Sequence, residues 1–266
     1  MRLLGAICSV TVMIFGAIAS AQETPPSVAA QDEHGELARR FVLIGGAEAQ
    51  FVESAIRGFE VALPRYGLNL TDAQLTRLRP TLTAAFQEPA RIYVDEMTAY
   101  MRRTASTADL RAAITYYESD TGQAYAATVV ELVTALALFD VSGGRTALPT
   151  VPAESEFDAA QLATSQRLAA AFFSRLSELG VERLAAYGVD AAEFTSWMAR
   201  FVASRIQTEH VEAAARWAES PESQRLEGPS AERAAAEEVA ALRATRAIDI
   251  NAIRAELEII QREHPA

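Results

Sequence analysis

The side chains able to do covalent chemistry are few. The 266-residue sequence contains no lysine, so all 24 of its Lys/Arg positions are arginine. That excludes Schiff bases, a pyridoxal-phosphate linkage and the phosphate-cradling lysine of a P-loop. Its single cysteine, Cys8, lies in an apolar run at the N-terminus. If that run is removed, no thiol nucleophile, iron–sulfur ligand or disulfide is left. The three histidines, His34, His210 and His264, form no His-Glu-x-x-His. None follows a Glu at the three-residue spacing of carboxylate di-iron bundles. A Ser–His–Asp site would have to use His210, and no Gly-x-Ser-x-Gly elbow accompanies it. Gly45-Gly46 and Gly143-Gly144 lack a nucleotide-binding context, and Gly45-Gly46 reads as a close helix contact or a kink. The sequence therefore assigns no catalytic, cofactor-binding or metal-binding residue, and calls for no cofactor.

Carboxylate chemistry remains. Against those arginines stand 35 Asp and Glu, giving a net charge of −11. Two carboxyl groups facing each other across a cleft can act as acid and base on a glycan. Glu118 and Glu219 are the candidates by symmetry, because they hold equivalent positions in an internal repeat. The ordinary role of acidic residues at helix ends is to be solvated or to cap. The acidic balance, with no basic patch interleaved with aromatics, disfavours nucleic acid and anionic lipid as partners.

The repeat runs at an offset of 101 residues, which takes Thr107 to Thr208. Without a gap, Ala112-Ala113 meets Ala213-Ala214, Glu118-Ser119 meets Glu219-Ser220, Gln123 meets Gln224 and Glu131 meets Glu232. Tyr116 is matched by Trp217. Upstream, the row Tyr93, Met97, Tyr100 is matched by Phe194, Met198, Phe201. Spacings of four and three residues put each row on one helix face, which predicts that each packs into the core of its own unit. The two copies predict a tandem duplication.

The segment from Asp109 through Tyr116-Tyr117-Glu118-Ser119-Asp120-Thr121-Gly122-Gln123 resembles a bacterial family called domain of unknown function 2059. The resemblance is clear around residues 93–140, with a diverged second copy around 194–240, where Ser223 stands in place of the family's glycine. It implies a helical fold and an exported, Gram-negative envelope protein. It implies no activity. In physical terms the motif reads as a helix–corner–helix packing device, the alternative being that it lines a binding groove: Ser119 can cap the following helix, Gly122 permits close approach, and Gln123 can hydrogen-bond across the corner. Tyr116 and Tyr117 lie on adjacent faces, so at most one can point squarely inward.

The elements that must position these residues are helices throughout. Ala, Leu, Glu, Arg and Gln dominate. Apolar residues recur at three- and four-residue spacing, as in Leu75, Leu78, Leu82, Phe86 and in Leu110, Ile114, Tyr117. No sustained alternation or hairpin turn signals a strand. Thr71 with Gln74 predicts a capping box, and Ser106 with Asp109 a weaker one. Ser220-Pro221-Glu222 predicts a helix start. Gly228-Pro229 should end that helix and Ser230 begin another, running to His264 with a bend near Asp249. The expected fold is all-α, two related helical domains with no sheet.

At the N-terminus, Met1-Arg2, the apolar stretch Leu3–Ile18 and the small-x-small Ala19-Ser20-Ala21 have the layout of a secretory signal peptide cleaved after Ala21. The expected organisation is a signal peptide at 1–21, a flexible lead at 22–32, a helical domain at 33–141, a linker at 142–155 and a second helical domain at 156–264. The protein is expected in the periplasm or secreted, with no stable membrane anchor after cleavage. The leading functional expectation is a non-enzymatic binding or interaction protein of the envelope. Its repeat would offer a groove to an envelope protein, a peptide or an apolar small molecule. The alternatives are a carboxylate-dependent cell-wall glycan hydrolase and a purely structural envelope protein.

Overall fold

The computed structural model describes residues 28–44, 46–142, 144, 148–173, 184–228 and 230–263. The signal-peptide reading, Gly45, Gly143, Pro229, part of the linker and His264 lie outside them. Among the described residues the chain is all-helical, with no strand. Helix α1 spans Val28–Ile44 and begins inside the segment expected to be a flexible lead, because Ala29, Ala30 and Gln31 simply extend its helix-forming composition. It is followed by α2 (Ala47–Ala62) and α3 (Asp72–Thr104). A tight pair comes next, α4 (Thr107–Tyr117) and α5 (Asp120–Val141). The second half holds α6 (Ala159–Phe173), α7 (Ala191–Ala203), α8 (Thr208–Glu219) and α9 (Pro221–Glu227). It ends on α10 (Ala231–Arg246) and α11 (Ile250–Glu263).

The helix starts follow the capping residues. The Thr71 hydroxyl accepts from Gln74 N and the Gln74 side chain returns to Thr71 N at 2.7 Å, closing a capping box. Ser106, Ser119, Ser220 and Ser230 each accept from the backbone N–H three residues on. The expected bend near Asp249 is a full break. α10 stops at Arg246, and Asp249 accepts from Ala252 N at 3.0 Å to begin α11.

One helix carries two of the predicted apolar rows. α3 runs 33 residues, and Leu78, Leu82 and Phe86 lie on it together with Tyr93, Met97 and Tyr100. Pro80 and Pro89 sit inside it and each removes one backbone hydrogen bond. Burial along its whole length outweighs that loss. The N-terminal half packs with Ile56 and Phe59 of α2 and Ile253 and Ile260 of α11. The C-terminal half packs with Ala38 of α1, Leu110 of α4, Leu226 of α9 and Ala240 of α10. In the other half of the molecule, Leu132 and Leu136 of α5 pack against Ala169, Phe194, Met198 and Phe201. A fourth cluster joins Tyr125 of α5 to Leu168, Val202 and Val211.

Met97 and Met198 are both buried, as their rows predict. Each of these four clusters, however, draws side chains from both sides of the 142–155 break. The expected units, 33–141 and 156–264, divide the sequence; the packing crosses that line. The helix after each motif reaches across the line: α5 packs against α8, and α9 against α4. The linker itself is strapped down, with Trp197 Nε1 donating to Pro149 O at 3.0 Å and Ser196 Oγ to Glu154 at 2.9 Å.

Asp120–Asp140 is one helix, among the described residues, long and apolar enough to cross a bilayer, with mean hydropathy 1.4. Its length and composition are equally those of a core helix, and Tyr125, Leu132 and Leu136 are buried within the fold.

Candidate interaction site

The helix–corner–helix motif sits at the centre of this crossing. At the first corner Ser119 Oγ donates to Tyr116 O at 2.6 Å and accepts from Gly122 N at 3.1 Å. A Cβ on Gly122 would stand 2.0 Å from Tyr116 O, so only glycine fits. At the second corner Ser220 is at once the C-cap of α8 and the N-cap of α9, and Ser223 is accommodated there. The cross-corner bond expected of Gln123 is made by its counterpart: Gln224 Nε2 donates to Ala218 O at 2.8 Å. Gln123 is exposed and makes no such bond among the described residues.

Matched positions of the two motifs also meet in space. Tyr116 and Trp217 stack with ring centroids 4.5 Å apart and planes inclined at 14°. Tyr117 meets both rings edge-on, at 5.2 Å from Tyr116 and 6.0 Å from Trp217, and reaches on to Phe41 and Tyr125. Both tyrosines are half-buried. The motif is therefore filled by its own aromatics.

Glu118 and Glu219 occupy the C-terminal ends of α4 and α8 and are exposed there. Arg40 Nε of α1 donates to Glu118 Oε1 at 3.0 Å, and Arg167 Nη2 of α6 donates to Glu219 Oε2 at 2.7 Å. Each carboxylate thus faces a guanidinium on a neighbouring helix. A glycan hydrolase also needs an acid held protonated. Asp109 and Glu53 both move the other way. Asp109 is held below the usual carboxylate range by Arg225. In Glu53, burial pushes up, but the bonds to Arg57 and Arg79 outweigh it. His34 is engaged by Thr107 Oγ1 at 3.0 Å and Arg102 O at 3.2 Å, and His210 by Thr121 Oγ1 at 2.7 Å. Among the described residues no group of three or more His, Cys, Asp or Glu is placed to hold a metal.

Between the two halves lies an apolar crevice among α5, α6 and α7, lined by Tyr125, Leu132, Leu168, Phe172, Met198 and Ile206. It has room for about one water molecule, far less than a ligand needs.

The sequence reading missed a buried polar network at the α9–α10 turn. Arg233 and Glu237 are both buried and bonded at 2.9 Å. The Arg233 guanidinium also donates to Leu226 O, a carbonyl at the free end of α9. Glu227 accepts from Tyr117 and, at 3.2 Å, from Ser223. Tyr93 lies in the same region, its acidity strongly suppressed by burial and then by Glu237. In sequence, Arg233 and Glu237 look like an ordinary solvated pair four residues apart.

The consequence is that α10 buries a charged pair together with its alanines and leaves its two bulkiest apolar side chains on the outside. Its buried face carries Arg233, Glu237, Ala240, Ala241 and Ala244. Its outer face carries Val239 and Leu242, 45% and 47% exposed. Ala235, Val239, Leu242 and Arg246 follow one another at spacings of four, three and four residues, so they form one stripe. Compared with known proteins, the chain matches no family model, no curated protein and no solved structure, and the family resemblance of residues 109–123 stands on those residues alone.

Proposed function

We propose that this chain is an exported interaction protein of the bacterial envelope, not an enzyme, and that it docks through the outer face of α10. The observation carrying the reading is what that helix leaves outside. Val239 and Leu242 are its bulkiest apolar side chains and the fold leaves them in solvent, while a charged pair takes the buried side. The two side chains are small in area, and what singles them out is that they lie next to each other on one stripe while the same helix buries a charged pair. The signal-peptide layout supports the location, and the arginine-paired carboxylates support a role in binding over catalysis.

The test is chemical cross-linking in the native envelope, comparing the wild-type chain with Val239→Ser/Leu242→Ser. The double variant should keep its thermal midpoint and lose its main cross-linked adduct. Adducts identical in the two proteins would refute the reading.

A further inference from the structure

We propose that the occupant of the α10 face is a second copy of this chain, its α10 lying antiparallel to the first across a two-fold axis near Val239. This rests on reading that face as the docking surface, and goes on to name the partner.

The argument is the order of residues along the stripe. It begins with Glu232, passes through the small Ala235 and the apolar Val239 and Leu242, and ends with Arg246. Turned end for end, that pattern is complementary to itself. Val239 meets Val239 of the other copy at the axis, Leu242 lies over the small Ala235–Ala236 stretch, and Glu232 reaches Arg246. A parallel arrangement would set Glu232 against Glu232 and Arg246 against Arg246, which repel. The two end charges are also available. Glu232 and Arg246 are exposed and make no ion pair among the described residues, whereas Arg243 beside them is paired with Glu96. The chain as a whole carries −11, so two copies repel over most of their surfaces; this stripe carries one charge of each sign and is apolar at its centre, while the exposed Glu238 lies about 100° round the helix from Val239, at the edge of the contact. An isologous contact of this kind closes on itself and stops at two copies. A single helix pair buries less than the ~800 Å² per partner of a standard interface, so the dimer is weak and concentration-dependent.

Two experiments test it on the full-length chain. In a Cys8→Ser background, Val239→Cys should form a disulfide-linked dimer on mild oxidation, because that position lies beside its own copy. Ala231→Cys should not, since its two copies would lie about 24 Å apart along the helices. In sedimentation velocity, Glu232→Arg and Arg246→Glu should each lose the dimer. An equimolar mixture of the two should regain it, because only the mixed pair restores both opposite-charge contacts. A wild-type chain that stays monomeric at several hundred micromolar overturns the proposal. So does equal cross-linking at Ala231 and Val239, or charge variants that dimerise as well as the wild type. A monomeric chain that still gives Leu242-dependent adducts with another envelope protein removes the second copy and leaves the docking face standing. Loss of both removes both.

Discussion

At Gly122 a single methyl group decides whether the motif can form. The position is set by the turn from α4 into α5: Ser119 pulls the chain back on Tyr116 O, and the Cα of residue 122 then passes that carbonyl so closely that an added Cβ would sit 2.0 Å from it. The obstacle is backbone, so no side chain can swing away. Gly122→Ala should therefore lose about 2–4 kcal/mol in urea unfolding. Gly188→Ala, with nothing within 4 Å, should lose only the roughly 1–2 kcal/mol of a left-handed residue with a Cβ. A second residue-scale case is Asp109, which holds Arg225 through two bonds, one of 3.0 Å, and accepts from Ser106 at 2.8 Å. Its acidity in the folded chain is raised, so its folded pKa lies below its unfolded one. The stability it contributes is complete above the unfolded value, near 4. It is lost as pH falls through the lower folded value. Because Arg225 is half exposed, the effect is modest, about 1 kcal/mol. Chemical denaturation between pH 6 and pH 2.5 should show wild type losing more stability than Asp109→Asn below about pH 5. Parallel curves would show that the pair contributes nothing.

The elements were legible where a local signal sets them, and obscure where tertiary contacts do. Thr71, Ser106, Ser220 and Ser230 each name a helix start by side-chain chemistry that needs no neighbour. The buried Met97 and Met198 could be read from spacing alone. The orientation of α10 could not. Its exposed and buried faces are assigned by the end of α9, whose free Leu226 carbonyl takes the Arg233 guanidinium, a contact seven residues back across a break in the helix. Once Arg233 is drawn inward, Glu237 follows as its counter-charge, and Val239 and Leu242 are left outside. Removing either member leaves a buried charge unpaired, which costs about 3–5 kcal/mol, whereas replacing both with apolar residues of similar volume is close to neutral. Thermal denaturation should thus show Arg233→Met and Glu237→Leu each strongly destabilised. The Arg233→Met/Glu237→Leu double variant should be more stable than either single one. A double variant as weak as the sum of the two would mean that the pair does not act as a unit.

At the scale of the molecule, the 101-residue offset and the crossing of helices predict how the chain comes apart. The sequence shows two similar stretches separated by Gly, Pro and Ser, which reads naturally as two domains on a string. What periodicity cannot show is which stretch a given apolar face packs against. α5 leaves the first stretch to bury Leu132 and Leu136 against Phe194 and Met198, and α10 and α11 leave the second to bury Ala240, Ala244, Ile253 and Ile260 against α3 and its neighbours. Cutting the chain between them would expose all of these faces at once. A fragment ending at residue 141 should be unfolded alone, with far-UV circular dichroism well below half the helical signal of the whole chain. A protease nick at Val151–Pro152 should leave the two pieces associated in gel filtration. Because the cores interlock, the intact chain should unfold in one transition, and Met97→Asp and Met198→Asp should each move that same transition down. A buried, unpaired carboxylate adds its desolvation to the lost packing, so each shift should amount to several kcal/mol. Two resolved transitions, with Met97→Asp lowering one and Met198→Asp the other, would mean that the stretches are independently stable and that the crossing helices contribute little to holding them together.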